Sequence, residues 1–195
     1  RLPGRNIVAV GRLVPQKGFD LLLDAFARVA DRIPQWSLVI WGEGPERAAL
    51  EAQRDALGLR NRVVMPGVTQ EHGGWLRDAD IFILSSRFEG WGIVIGEAMA
   101  AGVPTISFDC HWGPGEMIVD NVSGILVPDG DVVALGEAIA SLCDDPDRRA
   151  QLSHAARIAS KRFSIDSILS QWEDVATDAL APAQAWTVPL KAAAA

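Results

Sequence analysis

Asp80-Ile81-Phe82-Ile83-Leu84-Ser85-Ser86-Arg87-Phe88-Glu89-Gly90-Trp91-Gly92-Ile93-Val94-Ile95-Gly96-Glu97-Ala98-Met99-Ala100-Ala101-Gly102-Val103-Pro104 holds a strand, a tight glycine turn and a helix in one run. The apolar stretch from Asp80 to Ser86 has the length and bulk of a strand buried on both faces, as in a parallel sheet. The glycine turn follows, and the helix starts near Gly92 or Ile93. A strand that ends in a turn and a helix start is where an open α/β sheet binds ligands.

Two carboxylates bracket that turn, Glu89 and Glu97, with seven residues between them. Gly90 and Gly92 lack a Cβ, so the backbone can turn sharply and a ligand can approach it closely. The first amide groups of the helix have no intrahelical partner. Together with the helix dipole they suit a phosphate or a sugar hydroxyl. An ionised carboxylate is acceptor-only and can take two hydroxyls at once. Glu89 at the turn suits a polyol, and Glu97, more than one turn into the helix, suits a second diol such as a ribose. Most glutamates are solvated surface charges, and either residue alone would be read that way. The glycine turn and the buried strand before it move the pair towards function.

A second constellation lies near the start. Asn6-Ile7-Val8-Ala9-Val10-Gly11-Arg12-Leu13 reads as an apolar strand ending in Gly11 and Arg12. Val14-Pro15-Gln16 follows, then Lys17-Gly18 at the head of an amphipathic helix carrying Leu21, Leu22, Ala25, Phe26 and Val29. Arg12 and Lys17 thus share one loop at a strand's carboxyl end. Such a pair suits a diphosphate, with Arg as a planar fork and Lys as a point charge. An Arg and a Lys five residues apart are usually solvated, and the loop position is what raises them.

The remaining chain alternates in the same way. Strands are expected at Asn6–Leu13, Ser37–Trp41, Val63–Pro66, Asp80–Ser85, Thr105–Phe108 and Gly124–Val127. Helices are expected at Gly18–Arg32, Pro45–Leu57, Gly92–Ala101, Gly115–Val119 and Val132–Cys143, with two more near Asp147–Arg162 and Ser164–Leu180. This pattern predicts one Rossmann-like α/β domain over residues 1–180: a doubly wound parallel sheet of six strands, helices on both faces and right-handed crossovers. Trp172, with Ile168, Leu169 and Val175, is expected to pack in the core; the alternative is a helix reaching to a further domain. The alanine-rich tail from Ala181 to Ala195 is expected to be poorly ordered.

The chain of 195 residues is 49% hydrophobic, enough for a substantial core, and its formal net charge is -7. That balance argues against nucleic acid or an anionic membrane as the main partner. No apolar run approaches the ~20 residues of a membrane-spanning helix. The chain opens at Arg1-Leu2-Pro3-Gly4 without Met or a signal peptide, and reads as excised from something longer. Cys110 and Cys143 give neither a disulfide framework nor a metal site and suit a reduced, cytoplasmic protein. His72, His111 and His154 have no metal-ligand spacing.

Taken together and in order, Gly11-Arg12-Leu13…Lys17-Gly18, Gly42-Glu43-Gly44-Pro45, Glu89-Gly90-Trp91-Gly92…Glu97-Ala98-Met99-Ala100-Ala101-Gly102-Val103-Pro104 and Gly124-Ile125-Leu126-Val127-Pro128 resemble the C-terminal, donor-binding domain of retaining glycosyltransferases of family four, one half of the GT-B fold. The resemblance runs from about Asn6 to Leu180. It implies transfer of a hexose from a nucleoside diphosphate sugar to a glycan or lipid-linked acceptor, with retention and without a metal or other cofactor. The catalytic residues it implies are Arg12 and Lys17, which hold the diphosphate and stabilise the leaving charge, and Glu89, which contacts the hexose. Donor-binding roles fall on Gly11, Gly90, Trp91, Gly92, Ile93 and Val94 along the sugar and phosphates, and on Glu97 at the ribose. Met65, Gly67 and Val68 fall where main-chain groups read the base. A uridine diphosphate hexose is favoured over guanosine diphosphate mannose.

The resemblance also implies an N-terminal acceptor domain that this chain lacks, so transfer by the chain alone is not expected. The implied setting is cytoplasmic, in bacterial polysaccharide or glycoconjugate assembly, with contact to the inner face of the membrane through the missing domain. Trp91, Gly96, the short loop Thr69–Trp75, and His111 and Trp112 depart from the family pattern. Two rival readings are a nucleotide-sugar epimerase or phosphorylase of the same architecture and a non-catalytic nucleotide-binding module. A dehydrogenase fits least, because Gly-Arg-Leu, not Gly-x-Gly-x-x-Gly, follows the first strand.

Overall fold

The computed structural model describes residues 4–69, 71 and 73–180. The expected ordering of the Ala181–Ala195 tail, and His72, lie outside the described residues. Six strands form: β1 (Arg5–Val10), β2 (Trp36–Trp41), β3 (Val63–Gly67), β4 (Ile81–Leu84), β5 (Thr105–Phe108) and β6 (Ile125–Val127). They make one sheet in the order β3-β2-β1-β4-β5-β6, with every pairing parallel. This is the Rossmann-like sheet that the alternating pattern predicts. Ile7, Val8, Ala9, Ile81 and Phe82 are fully buried, which is why the central strands read as unbroken apolar runs.

Helices α1 (Phe19–Val29), α2 (Arg47–Ala56), α3 (Ile93–Ala101), α4 (Pro114–Met117), α5 (Val132–Asp144) and α6 (Pro146–Ser160) connect and flank the strands. Helix α1 packs on α5, and α3 on α6. The α1 stripe of Phe19, Leu22, Leu23, Phe26 and Val29 is buried, as its 3.6-residue spacing demands. Local chemistry sets the helix starts. The Asp131 side chain accepts from Val133 and Ala134 amides at α5. Asp145 accepts from Arg148 N at α6, where Pro146 occupies the first turn. Among the described residues no helix is long and apolar enough to cross a membrane.

Some boundaries differ from expectation. Strand β1 stops at Val10, and a 3-10 turn at Pro15–Lys17 precedes α1, which ends at Val29 rather than Arg32. The turn closes on Gly18, whose φ of +60° favours glycine; a Cβ there would lie 2.0 Å from the Ser85 carbonyl oxygen. The helix expected at Gly115–Val119 is the single turn α4, and an unforeseen 3-10 helix spans Gly74–Asp78.

The chain divides into two compact units, Arg1–Lys161 and Arg162–Ala195. The second contains helix α7 (Ile165–Leu180). Among the described residues its Ile168, Leu169, Trp172 and Val175 are exposed, against the expected core packing of Trp172 and its neighbours. Spacing three and four apart builds an apolar stripe on a helix but does not say what covers it.

Gly136 lets α5 approach α1: a Cβ there would lie 2.9 Å from the Ala25 carbonyl oxygen. Gly→Ala inside a helix normally gains up to about 1 kcal/mol. Here Gly136→Ala is expected to destabilise by about 1 kcal/mol net, because the backbone contact must open. Urea unfolding checks this; a variant more stable than the parent would show that α1 and α5 are not in that contact.

Candidate functional site

The strand order reverses between β1 and β4, and the carboxyl ends at such a reversal are where an open α/β sheet binds ligands. The loop after β1 carries Gly11, Arg12 and Lys17. The loop after β4 carries Ser85 to Gly92 and leads into α3. A set of hydrogen bonds joins the two. Arg87 N donates to the Gln16 carbonyl at 2.8 Å, and Gln16 Nε2 donates to the Phe88 carbonyl at 3.0 Å. Ser85 Oγ donates to the Lys17 carbonyl at 2.9 Å. The Arg87 guanidinium donates to the Pro15 carbonyl at 2.7 Å and to both Asp20 oxygens at 2.8 and 2.6 Å.

These contacts bring Lys17 and Glu89 together. Lys17 Nζ lies 2.6 Å from Glu89 Oε1, which also accepts from Ser86 Oγ at 2.6 Å. Glu89 is only 9% exposed, and Ser86 is buried. A carboxylate this enclosed needs charged and hydrogen-bonded partners, and it has both. The Lys17 side chain runs across Gly11, where a Cβ would lie 3.3 Å from its methylenes.

Arg12 is exposed and lines a crevice of about 320 Å³ with Val10, Gly11, Trp41, Gly42, Glu43, Val68 and Thr69. The loop after β2 builds its wall. Gly42 N donates to the Gly67 carbonyl at 2.8 Å, and Leu13 N to the Glu43 carbonyl at 2.9 Å. A Cβ on Gly42 would lie 1.8 Å from the Gly11 carbonyl oxygen, and one on Gly44 would lie 2.3 Å from that of Leu13. The glycines of Gly42-Glu43-Gly44-Pro45 therefore let two loop backbones touch and hold the Arg12 loop in place. Glu43 and Arg47 form a two-pronged pair, which holds the Glu43 carboxyl below its usual range.

The other residues singled out in the sequence distribute as follows. Val68 is 67% exposed and lines the crevice. Met65 is buried, and its carbonyl accepts from Arg47, so its backbone lies behind the wall. Gly67 has φ +95° and gives its carbonyl to Gly42. Gly92 caps α3 with φ +78°, so the turn requires glycine there. Gly90 is different: its φ is not in the left-handed region, and an added Cβ would meet nothing within 4 Å. The sharp turn expected of both glycines rests on Gly92. Trp91 and Ile93 are exposed, while Val94 and Glu97 are half-buried on α3.

The loop after β5, the neighbour of β4 in the sheet, carries Asp109 to Gly113. His111 and Trp112 rings meet edge-on at 4.6 Å, and Trp112 has φ +65°. Gly113 packs on the Trp91 backbone, where a Cβ would lie 2.9 Å from its carbonyl oxygen. Gly96 has a packing reason too: its Cβ would lie 3.2 Å from Met117 Cε. Burial pushes the Cys110 thiol up to about 11, so it is protonated and inert at neutral pH. Among the described residues no three His, Cys, Asp or Glu side chains converge as metal ligands.

The sequence carried no sign of Ser86, of Trp41 as a wall, or of the Arg87–Asp20 clamp. Arg87 and Asp20 are 67 residues apart, beyond any periodicity.

The Arg87 guanidinium, by hydrogen bonding, holds the Asp20 carboxyl below its usual range. A depressed folded pKa stabilises above the unfolded value of about 3.9 and is lost as pH falls through the folded value. Both side chains are over a third exposed, so solvent screens the pair. Arg87→Gln is expected to lose less than about 1 kcal/mol at neutral pH. The gap should narrow below about pH 4 and in high salt. Unfolding from pH 3 to 7 reads this, and a pH-independent gap would contradict it.

The profile of the family described as "Glycosyl transferases group 1" matches residues 3–159. The chain is 37% identical over 178 residues to an exopolysaccharide phosphotransferase of Streptomyces coelicolor, covering 91% of this chain and 19% of that protein. A point mutant of TarM from S. aureus, solved with fondaparinux, α-GlcNAc-glycerol and UDP, superposes with TM-score 0.83 at 26% identity, over 88% of this chain and 35% of that one. HepE from Anabaena, solved with UDP, superposes with TM-score 0.82 at 28% identity, over 90% of this chain and 49% of that one. The chain spans half or less of the length of the curated relatives it matches first. With its Rossmann-like sheet and the matched span, the chain belongs to the group 1 glycosyl transferase family.

Proposed function

We propose that this chain is the donor half of a hexosyltransferase, one that moves a hexose from a nucleoside diphosphate sugar to a glycan or lipid-linked acceptor with retention of configuration. The observation that carries the reading is the meeting of Lys17 and Glu89, from two different strand ends, at 2.6 Å, with Arg12 in the same loop as Lys17. A cation pair next to an enclosed carboxylate suits a ligand with a diphosphate at one end and a polyol at the other.

In this reading Arg12 clamps the diphosphate as a planar fork and Lys17 adds a point charge. The amides at the start of α3 face the same anion. As the bond from the anomeric carbon to the diphosphate lengthens, charge grows on the leaving oxygen. These donors, carried on loops fastened in advance, stabilise it without a metal. Glu89 holds sugar hydroxyls and Glu97 the ribose. Met65 lies behind the crevice wall, so main-chain reading of the base falls to Gly67 and Val68, with Trp41 opposite. UDP is favoured as the nucleotide, because TarM and HepE were each solved with it. The acceptor, and any membrane contact from the cytoplasmic side, belong to a partner domain. The chain alone is expected to bind donor weakly and transfer nothing.

Calorimetric titration with UDP and with GDP, with and without magnesium, tests this. Saturable binding of UDP that does not need magnesium is expected, weakened at least about tenfold in Lys17→Ala. Binding that requires magnesium would remove the metal-free reading, and tighter GDP binding would reverse the base. If neither nucleotide binds, the donor-site reading falls. Glu97→Ala should weaken UDP binding by a similar factor and leave inorganic pyrophosphate binding unchanged; equal loss for both ligands would move Glu97 away from the ribose.

A further inference from the structure

Glu89 has two carboxylate oxygens in different situations. Oε1 accepts from Lys17 Nζ and from Ser86 Oγ, each at 2.6 Å. Oε2 accepts from none of the described residues, and it is not among the sealed polar atoms that lack a partner. The Glu89 side chain keeps 8% of its surface accessible, and Oε2 is the oxygen left for a further donor. Two strong donors on one oxygen fix the rotation of the carboxylate about its last bond, a torsion that is otherwise broad.

The two donors are not equivalent. Lys17 ends a long flexible stem, and its ammonium is the group a diphosphate would draw away. Ser86 is buried, three residues before Glu89 and directly after the Ser85 hydroxyl that holds the Lys17 carbonyl. Its hydroxyl reaches Oε1 from the protein side and has no competing ligand. When Lys17 turns to an anion, Ser86 is the partner that still holds the carboxylate.

We propose that Ser86 is the positioning residue of Glu89: by holding Oε1 it keeps Oε2 available as the acceptor for the donor's sugar hydroxyls. The inference rests on the donor-site reading above and adds a division of labour to it. Ser86 contributes to recognition of the hexose and not to recognition of the nucleotide. Lys17 does the reverse, and it loses its grip on Oε1 in doing so.

The test compares UDP with UDP-glucose and UDP-N-acetylglucosamine on the parent, Ser86→Ala and Ser86→Thr. In Ser86→Ala the dissociation constant for UDP is expected to stay within about twofold. The ratio of the nucleotide-sugar constant to the UDP constant should rise about tenfold, the worth of one hydrogen bond to a charged group. Ser86→Thr keeps the hydroxyl and should restore the parent ratio. Thermal melting of all three shows whether the fold is kept. A Ser86→Ala ratio equal to the parent's, with UDP itself weakened or not, overturns the inference and leaves the donor site standing. A Ser86→Thr ratio as poor as that of alanine, in a folded protein, overturns it as well. Failure of the parent to bind UDP or either sugar nucleotide removes the donor site and Ser86's role together.

Discussion

β1 and β4 are neighbours in the sheet but are separated by two strands and two α-helices in sequence, and their loops leave from adjacent strand ends. Left alone, each loop would be a mobile surface segment carrying charge. The hydrogen bonds of Gln16, Ser85 and Arg87 fasten them to each other. The Lys17–Glu89 pair can exist only after that fastening. Two ions at this degree of enclosure are costly to bring out of water, and the gain recovers that cost only when geometry is fixed beforehand. The backbone stitching is what fixes it.

The same constraint explains the glycines. Gly18 lets the Ser85 carbonyl approach, and Gly42 and Gly44 let the β2 loop lie against Gly11 and Leu13. Each stands at a crossing of two loop backbones where a side chain would collide. The glycine pattern is thus a record of loop contact, and the crevice is the space those contacts leave open. A site built from preset loops loses little freedom when a ligand arrives, which favours binding of a polar, highly charged molecule.

Much of this was legible in the sequence. The apolar runs around Ile7 and Ile81 gave the central strands, because residues buried on both faces leave no polar alternation. The amphipathic spacing of Leu22, Phe26 and Val29 gave α1. Arg12, Lys17 and Glu89 were legible as candidates because each follows a strand. What stayed hidden was contact across long sequence separation. Nothing near Asp20 announces Arg87, and nothing in Ser86 distinguishes it from any serine at a strand end. Gly90 and Gly92 look alike as letters, yet only Gly92 adopts a conformation that requires glycine. Helix α7 fails differently: its stripe was legible, but a stripe carries no information about its cover. The short α4 shows the limit of propensity, because Gly113 and Pro114 start a helix that lasts one turn.

In the proposed reading the fastened β1 and β4 loops form a diphosphate site before any ligand arrives. A crystal structure of the protein with UDP-glucose tests it most directly. The expected structure holds a diphosphate between Arg12, Lys17 and the first amides of α3, with both loop backbones where they stand in the free protein and a sugar hydroxyl on Glu89 Oε2. A diphosphate bound elsewhere on the sheet edge, or loops that must separate to admit it, would contradict the account.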